Sequence, residues 1–266
     1  MKNIFNTHKY GIYVSSHIGC VRENNEDNFS LNGYSKEQNA PQATFSRDWD
    51  DTPLVLAVFD GIGGTAYGEV ASKIAADCTS ELYKKLLKQT EAEPDNTVTE
   101  YVQTANRKIG EMLLQRQCGR GGCTLALAYV KDDFVYSYSI GDSRIYWLHD
   151  GKLYRISKDH TLAMKKYEAN IYTKEEAENS PDQHTLTLYL GMNEEPELTP
   201  ETYFPFRLHE GDKLLLCSDG LYDMASAKEI TQTLLSSPTD PANALVALAL
   251  KNGGGDNVTC VVLQTE

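Results

Sequence analysis

No run in this 266-residue chain stays apolar for the roughly 18–20 positions that a bilayer span demands. The amino terminus, MKNIFNTHKYGIYV, has no apolar segment of the kind a secretory signal carries. Membrane insertion and secretion are therefore not expected. Basic residues are in deficit as well: 25 Lys and Arg face 38 Asp and Glu, a formal net charge of −13. Nucleic acids and anionic bilayers reward the opposite sign, so neither is expected as a partner. The six cysteines include no C-x-x-C pair, which removes the usual zinc spacing. Cys217 in LLLCS and Cys260 in VTCVV sit inside apolar runs, where a thiol acts as a small hydrophobe, and this usage suits a reducing cytoplasm. There is no internal repeat and no low-complexity tract.

What is present is the composition of a globular protein, 41% hydrophobic and 24% charged. Residues 11–18 and 54–59 (LVLAVF) read as strands. The segment 35–53 between them is polar and holds two prolines, which predicts a surface loop. Val70, Ile74, Cys78, Leu82 and Leu86 recur every fourth residue, as do Val98, Val102, Ala105, Ile109 and Met112 with shorter steps among them; two helices separated by Glu93-Pro94-Asp95 are expected. Strands resume from 123: CTLALAYV, FVYSYSI, then RIYWLH and KLYRI joined by Asp150-Gly151, a hairpin pair. Thr173-x-x-Glu176 is a capping-box pattern. KLLLCS (213–218) has the look of a buried strand, PANALVALAL (241–250) of a helix opened by proline, and NVTCVVLQ (257–264) of a closing strand. Helix pairs among many short, hairpin-joined strands predict an α+β fold with antiparallel sheets.

The chemistry is in how the apolar strands end. LVLAVF runs into Asp60-Gly61, KLLLCS into Asp219-Gly220, FVYSYSI into Gly141-Asp142, and Gly253-Gly254-Gly255 delivers Asp256-Asn257 before the last strand. Upstream, RENNED places Arg22, Glu26 and Asp27 before another short strand. Each Asp-Gly or Gly-Asp alone is ordinary turn chemistry. Four at strand ends, beside an Arg-x-x-Asn-Glu-Asp cluster, are less easily explained as separate turns. If they converge, the like charges demand counter-cations. A donor set of oxygens without His or Cys suits Mg²⁺ or Mn²⁺. Two such ions about 4 Å apart activate a water and polarise a phosphoryl group, and Arg22 would supply a bidentate phosphate contact.

Seven segments stand in the order and approximate spacing of one family: RENNED, FDGIGGTAYGEVAS, GGCT, IGDSRIY, KDHT, LLLCSDGLYD and GGGDNVT. They resemble the metal-dependent Ser/Thr protein phosphatases of the 2C type, most closely the compact bacterial members, over about residues 11–263. The resemblance implies a four-layer α/β/β/α sandwich, two antiparallel sheets flanked by helix pairs, with a metal site in a cleft at one edge. It implies one catalytic domain over residues 1–266, with a variable flap at about 161–205 where protein substrates are selected. Asp60 would bridge two Mg²⁺ or Mn²⁺ ions, with the Gly61 carbonyl on one of them. Asp219 and Asp256 would complete the first ion's ligands, and Glu26 and Asp27 would hold the second ion or its waters. Asp142 would help hold a third, weaker ion, and Arg22 would bind the phosphate. The implied reaction is hydrolysis of phosphoserine and phosphothreonine in proteins by a hydroxide bridging the ions. The implied setting is a monomeric, cytoplasmic signalling enzyme whose partners are phosphorylated proteins and a cognate Ser/Thr kinase.

Two positions depart from the family. Some members carry a His two residues after the bridging Asp as general acid; here that position is Ile62. Cys123 stands where Ser is usual, and a thiol in an apolar strand is expected to pack and not to react. Among rivals, Gly61-Ile62-Gly63-Gly64-Thr65-Ala66 satisfies a dinucleotide fingerprint, but about twenty residues on lies helix and not a second strand ending in an acid. D-x-D at a strand end, Cys-x₅-Arg, EF-hand and P-loop patterns are absent from the sequence. A catalytically weak relative, binding phosphoproteins as a regulatory module, would be expected to have lost one of the acids; all are present. His17, His149 and His184 fall in no partnered pattern and are expected to be structural. His160, next to Asp159, is assigned no role. The tyrosines at 129, 136, 138 and 146 are expected in the core and on sheet surface.

Overall fold

The structure, a computed structural model, describes residues 9–38, 40–49, 53–62, 67–89, 94–118, 121–192, 197–237 and 239–266. The chain runs through β1 (Tyr10–His17), β2 (Asn28–Leu31), β3 (Tyr34–Ser35), β4 (Gln42–Trp49), β5 (Leu54–Phe59) and β6 (Gly61–Ile62) into α1 (Gly68–Lys88) and α2 (Asp95–Gln115). Then come β7 (Gly122–Cys123), β8 (Leu125–Lys131), β9 (Phe134–Ile140), β10 (Arg144–His149), β11 (Lys152–Arg155), α3 (Leu162–Glu168) and α4 (Lys174–Asn179). After a 3-10 turn at Pro181–His184, the chain closes with β12 (Glu201–Arg207), β13 (Lys213–Cys217), α5 (Asp219–Tyr222), α6 (Ala227–Ser236), α7 (Pro241–Lys251) and β14 (Val258–Thr265).

Two six-stranded antiparallel sheets carry the fold, ordered β11-β10-β13-β14-β1-β4 and β12-β9-β8-β5-β2-β3. Strand β5 explains the layering. All six residues of LVLAVF are buried, because alternate side chains serve different cores. Leu54, Leu56 and Val58 face the other sheet and meet Ile12, Val14, Leu214, Leu216, Val261 and Leu263. Val55, Ala57 and Phe59 face α1 and α2. On the far side, Leu215, Cys217, Cys260 and Val262 pack under Leu234 of α6 and Leu245 and Ala249 of α7. The result is the expected four-layer sandwich, α1–α2, sheet, sheet, α6–α7. No helix among the described residues is long and apolar enough to cross a membrane.

Local expectations hold where the signal is local. Asp150 and Gly151 turn the β10–β11 hairpin with φ of 47° and 72°. Thr173 Oγ1 accepts the Glu176 N–H at 3.2 Å, and Glu176 Oε2 accepts the Thr173 N–H at 2.7 Å, closing the capping box of α4. Pro94 precedes α2; Glu93 lies outside the described residues. In α1, Leu82 and Leu86 are buried as the stripe predicts. Val70, Ile74 and Cys78 are only half-buried, and the helix sits on Ala71, Ala75, Ala76 and Thr79 instead. Small side chains let α1 approach closely, and Thr79 Oγ1 reaches Ser30 Oγ on β2 at 2.5 Å.

One expectation is corrected. The segment 35–53 is not all loop: β4 pairs antiparallel with β1 from Tyr10↔Trp49 to His17↔Gln42. It is a sheet edge with both faces partly solvated, so its polar sequence lacks the apolar alternation of a half-buried strand.

Candidate active site

Strands from both sheets end at one edge and deliver their acids there. Asp60 comes directly after β5, Asp142 after β9, Asp219 opens α5 after β13, and Asp256 precedes β14. Together with Arg22 and Glu26 they line a cleft of about 270 Å³, whose wall also includes Gly61, Ile62, Thr124, Asn257 and, from the flap, His184 and Leu186. Of the eight residues singled out from the sequence, seven line this cleft. Asp27 lies beneath it, 1% exposed, where Oδ2 accepts the Ser218 hydroxyl at 2.7 Å.

Several residues that sequence reasoning passes over hold these groups in place. Thr124 ties the Asp60 turn: its Oγ1 accepts the Asp60 N–H at 2.9 Å, and its own N–H donates to the Asp60 carbonyl at 2.9 Å. Asn257 binds the 22–27 loop. Its Oδ1 accepts the Glu26 N–H at 2.7 Å, and its Nδ2 donates to the carbonyls of Ile18 and Asn24, both at 2.8 Å. Lys36, only 3% exposed, donates to the Asn25 carbonyl at 3.1 Å, and burial pushes its ammonium down to about 8. His160 braces the Asp142 turn: Nδ1 accepts the Gly141 N–H at 3.0 Å, and the His160 backbone N–H donates to the Gly141 carbonyl at 2.9 Å. Glu69, inside the segment GEVAS, sits against Glu26 and raises its pKa.

The electrostatics are those of buried carboxylates that repel one another. Burial, reinforced by Asp219, Asp27 and Asp142, drives the Asp60 carboxyl well above the usual range. Asp219 is driven the same way by burial and then by Asp142 and Asp223. Burial and Glu69 push Glu26 up to about 7; burial pushes Asp27 to about 6, and burial with Asp159 pushes Asp142 to about 7. Oδ1 of Asp27 and Oε2 of Glu69 are buried with no hydrogen-bond partner, so they carry an unmet demand for a cation. The cradle is tight. A Cβ at Gly61 would lie 2.6 Å from the Glu26 carbonyl, and one at Gly68 would lie 2.7 Å from Glu26 Oε2. An oxygen-lined, mutually repelling set of this kind fits hard divalent ions. The guanidinium at the mouth, Arg22, donates from Nη2 to Asp256 Oδ2 at 2.5 Å.

Two chemical alternatives close. The Cys123 thiol is fully buried and pushed well above its usual range by burial and then by Asp60, so it packs as expected and is not a nucleophile. Of the glycine-rich stretch that resembles a dinucleotide fingerprint, Gly63 to Ala66 lie outside the described residues. The next element is α1, whose Ser80–Lys88 stretch is helix where that fold needs a strand. His184 lines the cleft as well, with one ring nitrogen within 4.8 Å of a carboxylate oxygen of both Asp219 and Asp223.

Comparison with known proteins points one way. A family profile described as "Protein phosphatase 2C" matches residues 35–248. The serine/threonine phosphatase stp of Listeria monocytogenes is 30% identical over 257 residues, 93% of either chain. The solved serine/threonine phosphatase PstP/Ppp of Mycobacterium tuberculosis superposes with a TM-score of 0.77 at 30% identity, covering 97% of this chain and 99% of that one. A structure of the PstP catalytic domain in complex with two manganese ions superposes at 0.75 with 30% identity, covering 96% and 99%.

Proposed function

The chain belongs to the protein phosphatase 2C family, and we propose that the acidic cleft between its sheets is the catalytic centre. The protein is a metal-dependent serine/threonine phosphatase that uses two Mg²⁺ or Mn²⁺ ions. The observation that carries the site assignment is the convergence of Asp60, Asp219, Asp256 and Glu26 on one cleft with Arg22 at its mouth. In this reading Asp60 and the Gly61 carbonyl would help hold the two ions. Asp219 and Asp256 would serve the first, Glu26 the second, and Asp142 a third, weaker one. Asp27, below the cleft and positioned by the Ser218 hydroxyl, would hold the second ion or its waters. When bound, the ions would neutralise the phosphoryl oxygens and lower the pKa of a water for attack.

The chain's own residues do the rest. Arg22 holds the phosphate by two parallel N–H donors once it leaves Asp256. Thr124 fixes the Asp60 turn and Asn257 fixes the Glu26 turn, which would hold each carboxylate ready for the ions. No Cys or Ser lines the cleft among the described residues, and the Thr124 hydroxyl is engaged by the Asp60 N–H and Ser143, so no activated nucleophilic side chain is in evidence and direct hydrolysis is the reading. Ile62 offers no proton to the leaving oxygen. The reading as a regulatory phosphoprotein-binding module is not favoured, because every acid it would have shed is in place. We further read residues 1–266 as one catalytic domain with a flap at 161–205, a monomer that works in cytoplasmic signalling opposite a cognate Ser/Thr kinase.

Hydrolysis of a phosphoserine peptide, measured with Mn²⁺ or Mg²⁺ and again after chelation, tests the reading, with Asp219→Asn run beside it. Turnover that survives chelation would sink the metal assignment, and an active Asp219→Asn would sink the residue assignment.

A further inference from the structure

The layer made by α1 and α2 stops short of one sheet edge. Its core takes residues from β5, β8 and β9 but, among the described residues, none from β12, the strand at that edge. Strand β12 is also irregular there. Tyr203 pairs with Ser137 and Phe206 with Val135, so β12 spends three steps where β9 spends two, and the bulge carries Phe204 and Pro205. A proline brings no N–H to a ladder, which suits it to such a place. Phe204 is 96% exposed, the most of any large apolar side chain among the described residues. Between this bulge and the start of α2 runs a groove of about 530 Å³, whose walls include Tyr136, Tyr138, Phe204 and the two prolines Pro94 and Pro205. It shares no residue with the acidic cleft.

The chemistry of the groove is narrow. Its only charged side chain is Asp95, which is exposed and accepts the Tyr138 hydroxyl at 2.7 Å. Burial raises the Tyr136 phenol, and the Asp132 and Asp95 carboxylates raise it further, so two anions bear on that ring. The partial positive charge at the start of α2, roughly half a unit, offsets one of them only in part. Aromatic and proline walls receive the preformed turns of a polyproline segment, and aromatic faces beside carboxylates receive Lys or Arg. A second copy of this chain is the wrong occupant. None of its nine prolines adjoins a Lys or Arg, five adjoin an Asp or Glu, and each copy would bring a net charge of −13. We propose that this groove docks an extended, proline-containing segment of a partner protein that carries Lys or Arg beside its prolines. Docking there would hold the partner to the phosphatase without engaging its phosphoryl group.

The probe is a labelled, unphosphorylated peptide of repeated Pro-Pro-Arg, titrated with the full chain in excess Mn²⁺ and followed by fluorescence anisotropy. Binding should saturate and should weaken as salt rises. The same peptide with Glu in place of Arg, or with Ala in place of Pro, should bind at least about tenfold more weakly. Phe204→Ser should cost about tenfold or more, the effect of losing one aromatic anchor. Because the Phe204 side chain stands free of the core, the unfolding midpoint and the hydrolysis of a small aryl phosphate should match the parent's. Asp95→Asn keeps an acceptor for the Tyr138 hydroxyl and removes only the charge, so it should shrink the gap between the Arg and Glu peptides. No saturable binding of the Pro-Pro-Arg peptide, equal binding of either control peptide, or binding unchanged in Phe204→Ser would overturn the proposal. So would sedimentation that finds the parent dimeric and Phe204→Ser monomeric, because the face would then belong to a second copy.

Discussion

Arg22 and Asp256 form an ion pair at 2.5 Å, although their proposed roles separate them, one toward phosphate and the other toward metal. The side chains are 52% and 35% exposed, so the pair is worth no more than about 1 kcal/mol. A divalent ion outcompetes it easily. Metal binding at Asp256 and phosphate binding at Arg22 would each have to draw one partner out of this weak pair.

Arg22→Ala should accordingly do two opposite things. Losing a bidentate, charge-assisted contact of roughly 1.5–3 kcal/mol should raise KM for a phosphopeptide about 10- to 100-fold, with a smaller change in kcat. Removing the competing cation should tighten Mn²⁺ binding several-fold. Steady-state kinetics and calorimetry on the same preparation check both, and an unchanged KM would take Arg22 out of the phosphate site.

Asp60→Asn should lower kcat/KM by more than about a thousandfold, because the carboxylate proposed to hold both ions is lost. The metal-free protein should not suffer. Asp60 is held against Asp219, Asp27 and Asp142, and a neutral amide relieves that repulsion. Its metal-free unfolding midpoint should equal or exceed that of the parent. A drop of many degrees would mean the carboxylate is structural.

The pH dependence of the metal-free protein comes from the same crowding. Glu26, Asp27 and Asp142 are raised from 4.5, 3.8 and 3.8 to about 7, 6 and 7, chiefly by burial. An acid with a raised folded pKa binds its proton more tightly when folded. Its stabilising contribution is complete below the unfolded value and is lost as pH rises through the folded one. The metal-free midpoint should therefore fall from about pH 5 to about pH 7.5, and the increase given by Mn²⁺ should be larger at the upper end. Thermal scans with and without Mn²⁺ measure this; a metal-free midpoint that climbs over that range contradicts it.

How much of the fold and site is legible in the sequence depends on the range of each signal. LVLAVF and LLLCS are buried on both faces, so they stand out as unbroken apolar runs, and the Asp60 and Asp219 that end them are visible at once. Asp150-Gly151 and Thr173-x-x-Glu176 act within four residues, and both form as read. Strand β4 escapes notice because an edge strand needs no apolar alternation. His184 escapes it because nothing near it in sequence points to Asp219 or Asp223, some 35 to 39 residues on; only the fold of the flap brings them together. Glu69 and Asn257 stand inside recognisable motifs, but their work is to oppose or hold Glu26, a relationship across 43 and 231 residues that no local pattern carries.

The sharpest test of how the Asp219 and Asp256 turns are joined is a single methyl group. At Gly220 an added Cβ would fall 2.0 Å from the Asn257 carbonyl oxygen and 2.9 Å from its carbon, and both are backbone atoms that cannot swing aside. Gly220 is next to Asp219 and Asn257 next to Asp256, so relieving the clash must push apart the turns that carry these two carboxylates, proposed above for the first ion. Gly220→Ala should destabilise the protein by roughly 2–3 kcal/mol through overpacking and weaken Mn²⁺ binding at least tenfold. Gly151→Ala is the matched control. There a Cβ meets nothing within 4 Å, but φ is +72°, so the cost is backbone strain alone, roughly 1–2 kcal/mol. The hairpin is not part of the cleft, so Mn²⁺ affinity should not change. Denaturant melts and Mn²⁺ titrations on the pair separate the causes. If both variants lose similar stability and only Gly220→Ala loses metal, the Asp219 and Asp256 turns are held in register by direct backbone contact; if Gly220→Ala binds Mn²⁺ normally, they are not.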